Sequence, residues 1–314
     1  MNISKNKLKQ QINIGTRGSK LALWQAYYVA DLLKEAGLQS NIVKIETKGD
    51  KILDRSLAKV GSKGLFTEEL EVQLLEGGID IAVHSAKDMP SDLGKHFKII
   101  AFTEREQVND VVISDDKALM EKQNLVLGTS SVRRTALLKK YMPHATVVNM
   151  RGNLQTRIKK MRDGQCDGLV LAFAGVHRME YDDMIVKHLP VEKYVPPVGQ
   201  GSVAIEASDT LDKEVEKAII KAVNHEVSAA CLWAERAFLK KLQGGCSIPA
   251  FAHAIHRNGE LHIKGGIISA DGSDYVLIEK SGPIETAQEL GKALAEEVLH
   301  KGGNKILAEL RAQD

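Results

Sequence analysis

The sequence is short of cysteine. Its 314 residues hold three, Cys166, Cys231 and Cys246, with no CxxC pair. Three scattered thiols cannot build a disulfide framework, and without a paired spacing they do not point to zinc. Charge of one sign is lacking as well, since 43 Lys and Arg stand against 41 Asp and Glu for a formal net charge of +2. That balance marks the chain neither for nucleic acid nor for an anionic membrane surface, so any basic site has to be local. No apolar run approaches the ~20 residues that cross a bilayer. The opening stretch, MNISKNKLKQQINIGTRGSK, has no apolar core of the signal-peptide kind. The expected address is the cytoplasm. With no heptad run and no broad apolar stripe, the expected assembly is a monomer.

What is there reads as a soluble, globular chain. Hydrophobic residues make up 43% and charged ones 27%, enough to bury real cores, and 314 residues exceed what one core usually serves. Short Val- and Ile-rich runs alternate with helix-like segments: Ile12 to Gly15, Ile42 to Ile45, Ile79 to Val83, Val111 to Ile113, Leu125 to Leu127, Val147 to Val148 and Leu169 to Leu171. The rhythm predicts an α/β fold with mostly parallel sheets. Helices are expected over Lys20 to Ala36, Thr67 to Glu76, Ser131 to Tyr141 and Leu154 to Arg162, several opened by Ser, Thr or Asn caps. In such sheets ligands bind beyond the carboxyl ends of the strands, where helix N-termini favour anions.

Two stretches look alike in plan, Gly15-Thr16-Arg17-Gly18-Ser19 and Gly128-Thr129-Ser130-Ser131-Val132-Arg133-Arg134, each following a strand. Two similar lobes are expected, with a hinge near Val195-Pro196-Pro197 and a strand Ser202 to Ala207 returning to the first lobe. The predicted boundaries are 1–104 with the return segment 199–221, then 105–198, then 222–314. The last part offers a helix through Ala229 to Leu242, a hairpin His253 to Ile268 turning at Asn258-Gly259, and a helix Thr286 to Lys301, a small α+β domain. The polar stretch Lys48 to Gly64 reads as a surface loop beside the site.

Arginine recurs at the strand-to-helix junctions: Arg17, Arg133, Arg134, Arg151, Arg157 one turn later, and Arg178. A single exposed arginine is usually a weak surface ion pair, but the repeated placement points to a polyanionic ligand held by guanidinium forks. After the run Ile79 to Val83 comes His84-Ser85-Ala86-Lys87-Asp88-Met89-Pro90. Asp88 there either stabilises a developing cation and moves a proton, or simply caps a turn. His84 reads as a structural histidine. Cys246 follows Gly244-Gly245, which leaves its sulfur approachable, whereas Cys231 lies on an apolar stripe and Cys166 precedes a buried strand. For Cys246, covalent attachment of a group stands beside acyl chemistry.

These motifs closely resemble those of the porphobilinogen deaminase family: Thr16-Arg17-Gly18-Ser19 with Leu21-Ala22-Leu23-Trp24-Gln25, Gly64-Leu65-Phe66, His84 to Pro90, Gly128 to Arg134, Arg151-Gly152-Asn153 with Thr156-Arg157, Pro197-Val198-Gly199-Gln200-Gly201, and Gly244-Gly245-Cys246. The resemblance runs over nearly the whole chain, and that many strings in order are specific where any one is not. It implies three domains, two of them lobes of the periplasmic-binding-protein type II kind and the third a small domain carrying a cofactor cysteine. It also implies a transferase that adds four porphobilinogens, each losing ammonia, to a dipyrromethane primer held by a thioether to Cys246, and then releases hydroxymethylbilane with water. Asp88 would be catalytic. Ser19, Lys87, Asp88, Ser131, Arg133, Arg134, Arg151 and Arg157 would bind the cofactor, and Arg17, Ser19, Phe66, Arg151, Arg157, Arg178 and Gln200 the substrate, with no metal. Departures from the pattern are Ala86, Met89 and Ser247, none of which removes a functional group, and Glu68 and Glu69, which add acid after Phe66. A two-lobed anion-binding protein and a phosphoribosyl transferase are the rival readings, because fold alone does not fix function.

Overall fold

A computed structural model of the chain describes residues 11–48, 67–243 and 248–312. In chain order its strands are β1 (Ile12–Arg17), β2 (Ser40–Ile45), β3 (Ile81–Ser85), β4 (Phe97–Phe102), β5 (Asp110–Ile113), β6 (Leu125–Thr129), β7 (Ala145–Asn149), β8 (Gly168–Ala172), β9 (Ile185–His188), β10 (Val203–Ser208), β11 (Ala250–Arg257), β12 (Glu260–Ile268) and β13 (Tyr275–Gly282). Its α-helices are α1 (Lys20–Glu35), α2 (Glu68–Glu76), α3 (Val132–Tyr141), α4 (Leu154–Arg162), α5 (Phe173–Arg178), α6 (Lys213–Val223), α7 (Glu226–Lys241), α8 (Ala287–Val298) and α9 (Asn304–Arg311). Two compact units result, one drawn from 11–48, 67–104 and 202–229, the other from 105–201, 230–243 and 248–312.

The first unit holds one sheet in the order β2-β1-β3-β10-β4. Along β10 the side chains alternate: Val203, Ile205 and Ala207 pack with Ala26, Val29 and Leu33 of α1 and Val215 and Ile219 of α6. On the opposite face Leu70 and Leu74 of α2 meet Ile79 and Ala82. Period two in the strand and period 3.6 in the helices bring both apolar faces together, which is what holds the lobe.

The second unit holds a sheet in the order β7-β6-β8-β5-β9, the same plan as the first. In each, three parallel strands are followed by one antiparallel strand and an edge. Four of the five strands in each lobe sheet run the same way, in line with the expectation of mostly parallel sheets, and one, which the sequence did not foretell, runs against them. β10 runs antiparallel to both β3 and β4, and β5 to both β8 and β9. The physical reason is that apolar periodicity marks a buried strand but carries no information on its direction.

The same unit carries the antiparallel sheet β11-β12-β13. Its β11–β12 hairpin turns at Asn258 and Gly259, both with positive φ (53° and 83°), the twist a two-residue turn needs. Phe238 of α7 and Leu294 of α8 cover the sheet with Ala252 and Ile263. Phe251 and Ile268 join Leu137, Val170 and Val195 in the core of the neighbouring lobe. α8 ends at Val298, and after a kink at Gly302 (φ 113°) the chain resumes as α9.

Candidate active site

In the first unit β1 and β3 are parallel neighbours, with Ile14 opposite Ile81 and Gly15 opposite Ala82. The residues that follow them leave the sheet at one carboxyl edge. Arg17 closes β1, half-buried, and Ser19 caps α1 by accepting a hydrogen bond from the Ala22 amide at 3.3 Å. β3 ends at Ser85 and passes into a single 3-10 turn, Ala86–Asp88, in which Lys87 is half-buried and Asp88 exposed. Gln25 of α1 donates to the Ser85 hydroxyl at 2.9 Å, and the Ala86 amide donates to the Ser202 carbonyl at 3.0 Å, so the end of the strand is tied down just before the acid.

The second unit repeats this on β7, β6 and β8, again parallel neighbours. Ser131 caps α3 beyond β6, accepting from the Arg134 amide at 3.4 Å. Asn153 caps α4 beyond β7, accepting from the amide and hydroxyl of Thr156 at 2.9 Å each. Arg151 is half-buried, with its Nη1 buried and unpartnered. Arg157 donates from Nε to the Gly152 carbonyl at 2.7 Å and from Nη2 to the Ser130 hydroxyl at 3.4 Å. Arg178, last residue of α5, donates to the Gly201 carbonyl at 2.8 Å.

Arg133 and Arg134 point inward. Both are buried against Asp110, Arg133 Nη2 donating to one carboxylate oxygen at 2.7 Å and Arg134 Nη2 to the other at 2.8 Å. Their remaining Nη groups donate to the carbonyls of Val195 and Val170, and Gln200 donates to Asp110 at 2.9 Å and to the Val108 carbonyl at 2.6 Å. Burial by itself would raise the Asp110 carboxyl, but the two guanidinium groups outweigh it and hold the group far below the ordinary carboxylate range. One carboxylate against two guanidinium groups leaves an uncompensated positive charge, and the Nε of each arginine is buried without a partner.

Asp110 escaped the sequence reading. Its only signal is an acid opening an otherwise apolar run, Asp110-Val111-Val112-Ile113. Arg105 and Glu235 were missed likewise: Arg105 forks onto Glu235 at 2.6 and 3.1 Å and donates from Nε to the Gln200 carbonyl at 2.8 Å.

Cys166 and Cys231 are buried, and burial pushes both thiols up to about 11, so neither offers a thiolate near neutral pH. Cys246 with its Gly-Gly turn, Phe66, and the loop expected up to Gly64 lie outside the described residues, apart from Lys48. Glu68 and Glu69 are engaged by Lys48, through its Nζ and its amide respectively, each at 3.0 Å. Among the described residues no cluster of three or more His, Cys, Asp or Glu could hold a metal, and no helix is long and apolar enough to cross a membrane.

Comparison with known proteins decides the family. Residues 12–217 match the model of the porphobilinogen deaminase dipyromethane cofactor binding domain, and residues 229–300 that of the porphobilinogen deaminase C-terminal domain. The chain belongs to the porphobilinogen deaminase family. It is 49% identical over 306 residues to the porphobilinogen deaminase of Desulfosudis oleivorans, covering 96% of this chain and 99% of that one. To the enzyme of Cytophaga hutchinsonii it is 52% identical over 307 residues, covering 97% and 98%. A solved methionine binding protein, MetQ, is similar over 68% of this chain and 89% of its own at 13% identity and a TM-score of 0.44. Membership makes the chain an enzyme of the transferase class with dipyrromethane as its cofactor, and neither rival reading is favoured.

Proposed function

We propose that the chain joins four porphobilinogens in sequence to a dipyrromethane primer attached by a thioether to Cys246, loses one ammonia at each addition, and frees hydroxymethylbilane with water. The observation that carries this reading is the chemistry gathered at the carboxyl edges of the two parallel strand sets. Arg17, Ser19 and Lys87 stand at one and Ser131, Arg151, Arg157 and Arg178 at the other, with Asp88 exposed among the cations of the first.

The residues present fit the cofactor. Each pyrrole carries an acetate and a propionate, so a dipyrromethane is a polycarboxylate. The unpartnered Nη1 of Arg151, the two unpartnered Nε atoms and the net positive charge around Asp110 suit such a group. Lys87, Ser19, Ser131, Arg133, Arg134, Arg151 and Arg157 would hold it. Arg133 and Arg134 would do so through Nε and their field, since their Nη groups are given to the protein. Arg17, Phe66, Arg178 and Gln200, with Ser19, Arg151 and Arg157, would take the incoming porphobilinogen, Gln200 acting by fixing the arginine cluster. When bound, the dipyrromethane supplies the pyrrole carbon to which the first substrate is joined.

Asp88 does the acid–base work. As ammonia departs from the aminomethyl carbon the substrate turns cationic, and a carboxylate beside its pyrrole N–H stabilises that charge. Once the new carbon–carbon bond has formed, the proton displaced from the ring is accepted on a carboxylate oxygen of Asp88. We read the three domains as 1–104 with 199–221, 105–198 and 222–314, and take the enzyme to work as a cytoplasmic monomer, in keeping with a sequence that has no heptad run and no broad apolar stripe.

Intact-protein mass spectrometry is the test. The active enzyme is expected to carry an increment of two pyrrole units that Cys246→Ser loses, and Asp88→Ala is expected to keep the fold while elongation stops. An active preparation of unmodified mass, or near-normal turnover in Asp88→Ala, would overturn the assignment.

A further inference from the structure

Just before the Lys87–Asp88 turn lies a buried, hydrogen-bonded pair that takes no part in the proposed reaction. His84 on β3 and Glu206 on β10 are both buried, and His84 Nε2 lies 2.9 Å from Glu206 Oε2. Glu206 is fully enclosed on β10, between β3 and the edge strand β4, and its second oxygen, Oε1, is buried with no partner. The neighbours on that face are apolar, Ala82, Leu70, Leu74 and Ile79, save for the half-buried Glu71 of α2, whose carboxyl is raised by burial and by the nearness of Glu206. A half-satisfied buried carboxyl on the face of a sheet is poor stabilisation, and an apolar pair of similar size would serve the core as well or better. Its place in the chain suggests another use: His84 stands one residue before the end of β3, and the turn bearing Asp88 starts two residues after it.

We infer that His84, held by Glu206, is a positioning residue for Asp88. The inference rests on the reading of Asp88 as the reacting carboxylate. The strand end is then fixed from three directions: by the His84–Glu206 pair on one face, by the Gln25–Ser85 hydrogen bond on the other, and by the Ala86 amide on the Ser202 carbonyl along the ladder. β10 cannot slide to relieve a mismatch, because Ser202 is itself anchored, donating from its hydroxyl to the Thr103 carbonyl at 3.0 Å. An exposed acid on a one-turn helix has little packing of its own, so its location is set by what holds the strand beneath it. Substrate carboxylates, by contrast, are taken by the arginines, so loosening the pair should act on the chemical step and leave binding largely alone.

The test is the double variant His84→Leu with Glu206→Leu, compared with Glu206→Gln and with Asp88→Asn, each as the full-length loaded enzyme. Four readouts are taken: kcat, KM, the melting midpoint, and the ladder of covalent substrate additions by intact mass. A misplacement of the reacting group by a fraction of an ångström to an ångström is expected to lower kcat by about 10- to 100-fold in the double variant. Its KM should stay within about twofold, its midpoint should not fall, and its covalent ladder should lag at the first addition. Glu206→Gln still offers an acceptor to His84 and is expected to keep kcat within about threefold of the parent. A folded double variant with parental kcat and ladder would overturn the inference, as would one whose loss of kcat is matched by Glu206→Gln at an unchanged midpoint. If the double variant fails to fold, the pair is structural and the inference is overturned. Asp88→Asn separates the two claims: parental turnover there removes the role of Asp88 itself, whereas its loss beside a parental double variant removes only the role of His84.

Discussion

Asp110 is the residue on which the second lobe's arginines depend. It is buried, and it receives both guanidinium groups and the Gln200 amide. Replacing it by Asn leaves two buried cations facing a neutral group, so Asp110→Asn is expected to cost about 3–5 kcal/mol in denaturant unfolding. The pH dependence follows from the direction of its shift. A carboxyl held below its unfolded value of about 3.9 contributes stability fully present above that pH, and the contribution is lost as pH falls towards the folded value. The parent should therefore lose stability progressively below about pH 4. The Asn variant should show a flatter acid limb in the same titration of urea midpoints, and superimposable profiles would contradict the account. The residues proposed for catalysis and ligand binding stand out one by one in the sequence because their chemistry is written in residue type and motif. Asp110 was not, since its partners lie 23, 24 and 90 positions away in sequence.

At the scale of elements the segment Gly199-Gln200-Gly201 carries the most constraint for its length. Gly201 has φ 96°, and a Cβ there would stand 2.5 Å from the Glu106 carbonyl oxygen. The carbonyl of Gly201 itself receives Arg178, and the Gln200 amide reaches Asp110. Gly201→Ala is expected to lower stability by roughly 1–3 kcal/mol and to raise KM for porphobilinogen, because relieving the clash moves the acceptor of Arg178. A variant with parental melting and parental KM would show that the loop adapts freely. Most strands and helices here were legible from periodicity and caps, as Ser19, Ser131 and Asn153 illustrate. β4, β9 and β13 were not, and neither were α5, α6 and α9. β4 buries residues without strict alternation and β13 is half-exposed along its length, so neither carries a clean period of two. The start of β3 was misjudged by two residues, since Ile79 is buried yet sits before the strand, and this brought His84 and Ser85 inside it.

Over the whole molecule, contacts between distant parts of the sequence decide what is rigid. Within the second unit Glu235 is fully buried on α7, and Arg105, 130 positions earlier, forks onto it. Glu235 also accepts the amides of Gly199 at 2.9 Å and Ala254 at 2.8 Å, linking the C-terminal sheet to the segment that orders Gln200. Removing the carboxylate strands a largely buried guanidinium and two amides, so Glu235→Ala should cost about 3–5 kcal/mol, read as a fall in the unfolding midpoint. Glu214→Ala, at an exposed i,i+3 pair with Lys217, should change little. A similar small effect at both sites would deny the clasp its role.

The sequence by itself determined the family, the α/β lobes, and the placing of arginines at the strand-to-helix junctions. Those follow from residue type, local period and ordered motifs, all of which are properties of neighbours along the chain. Tertiary structure alone decided the direction of β5 and β10, the inward turn of Arg133 and Arg134 onto Asp110, the Arg105–Glu235 clasp, and the burial of His84 with Glu206. Each of these depends on which distant segment fills the space beside a strand, and a buried charge is placed by the partner it finds there.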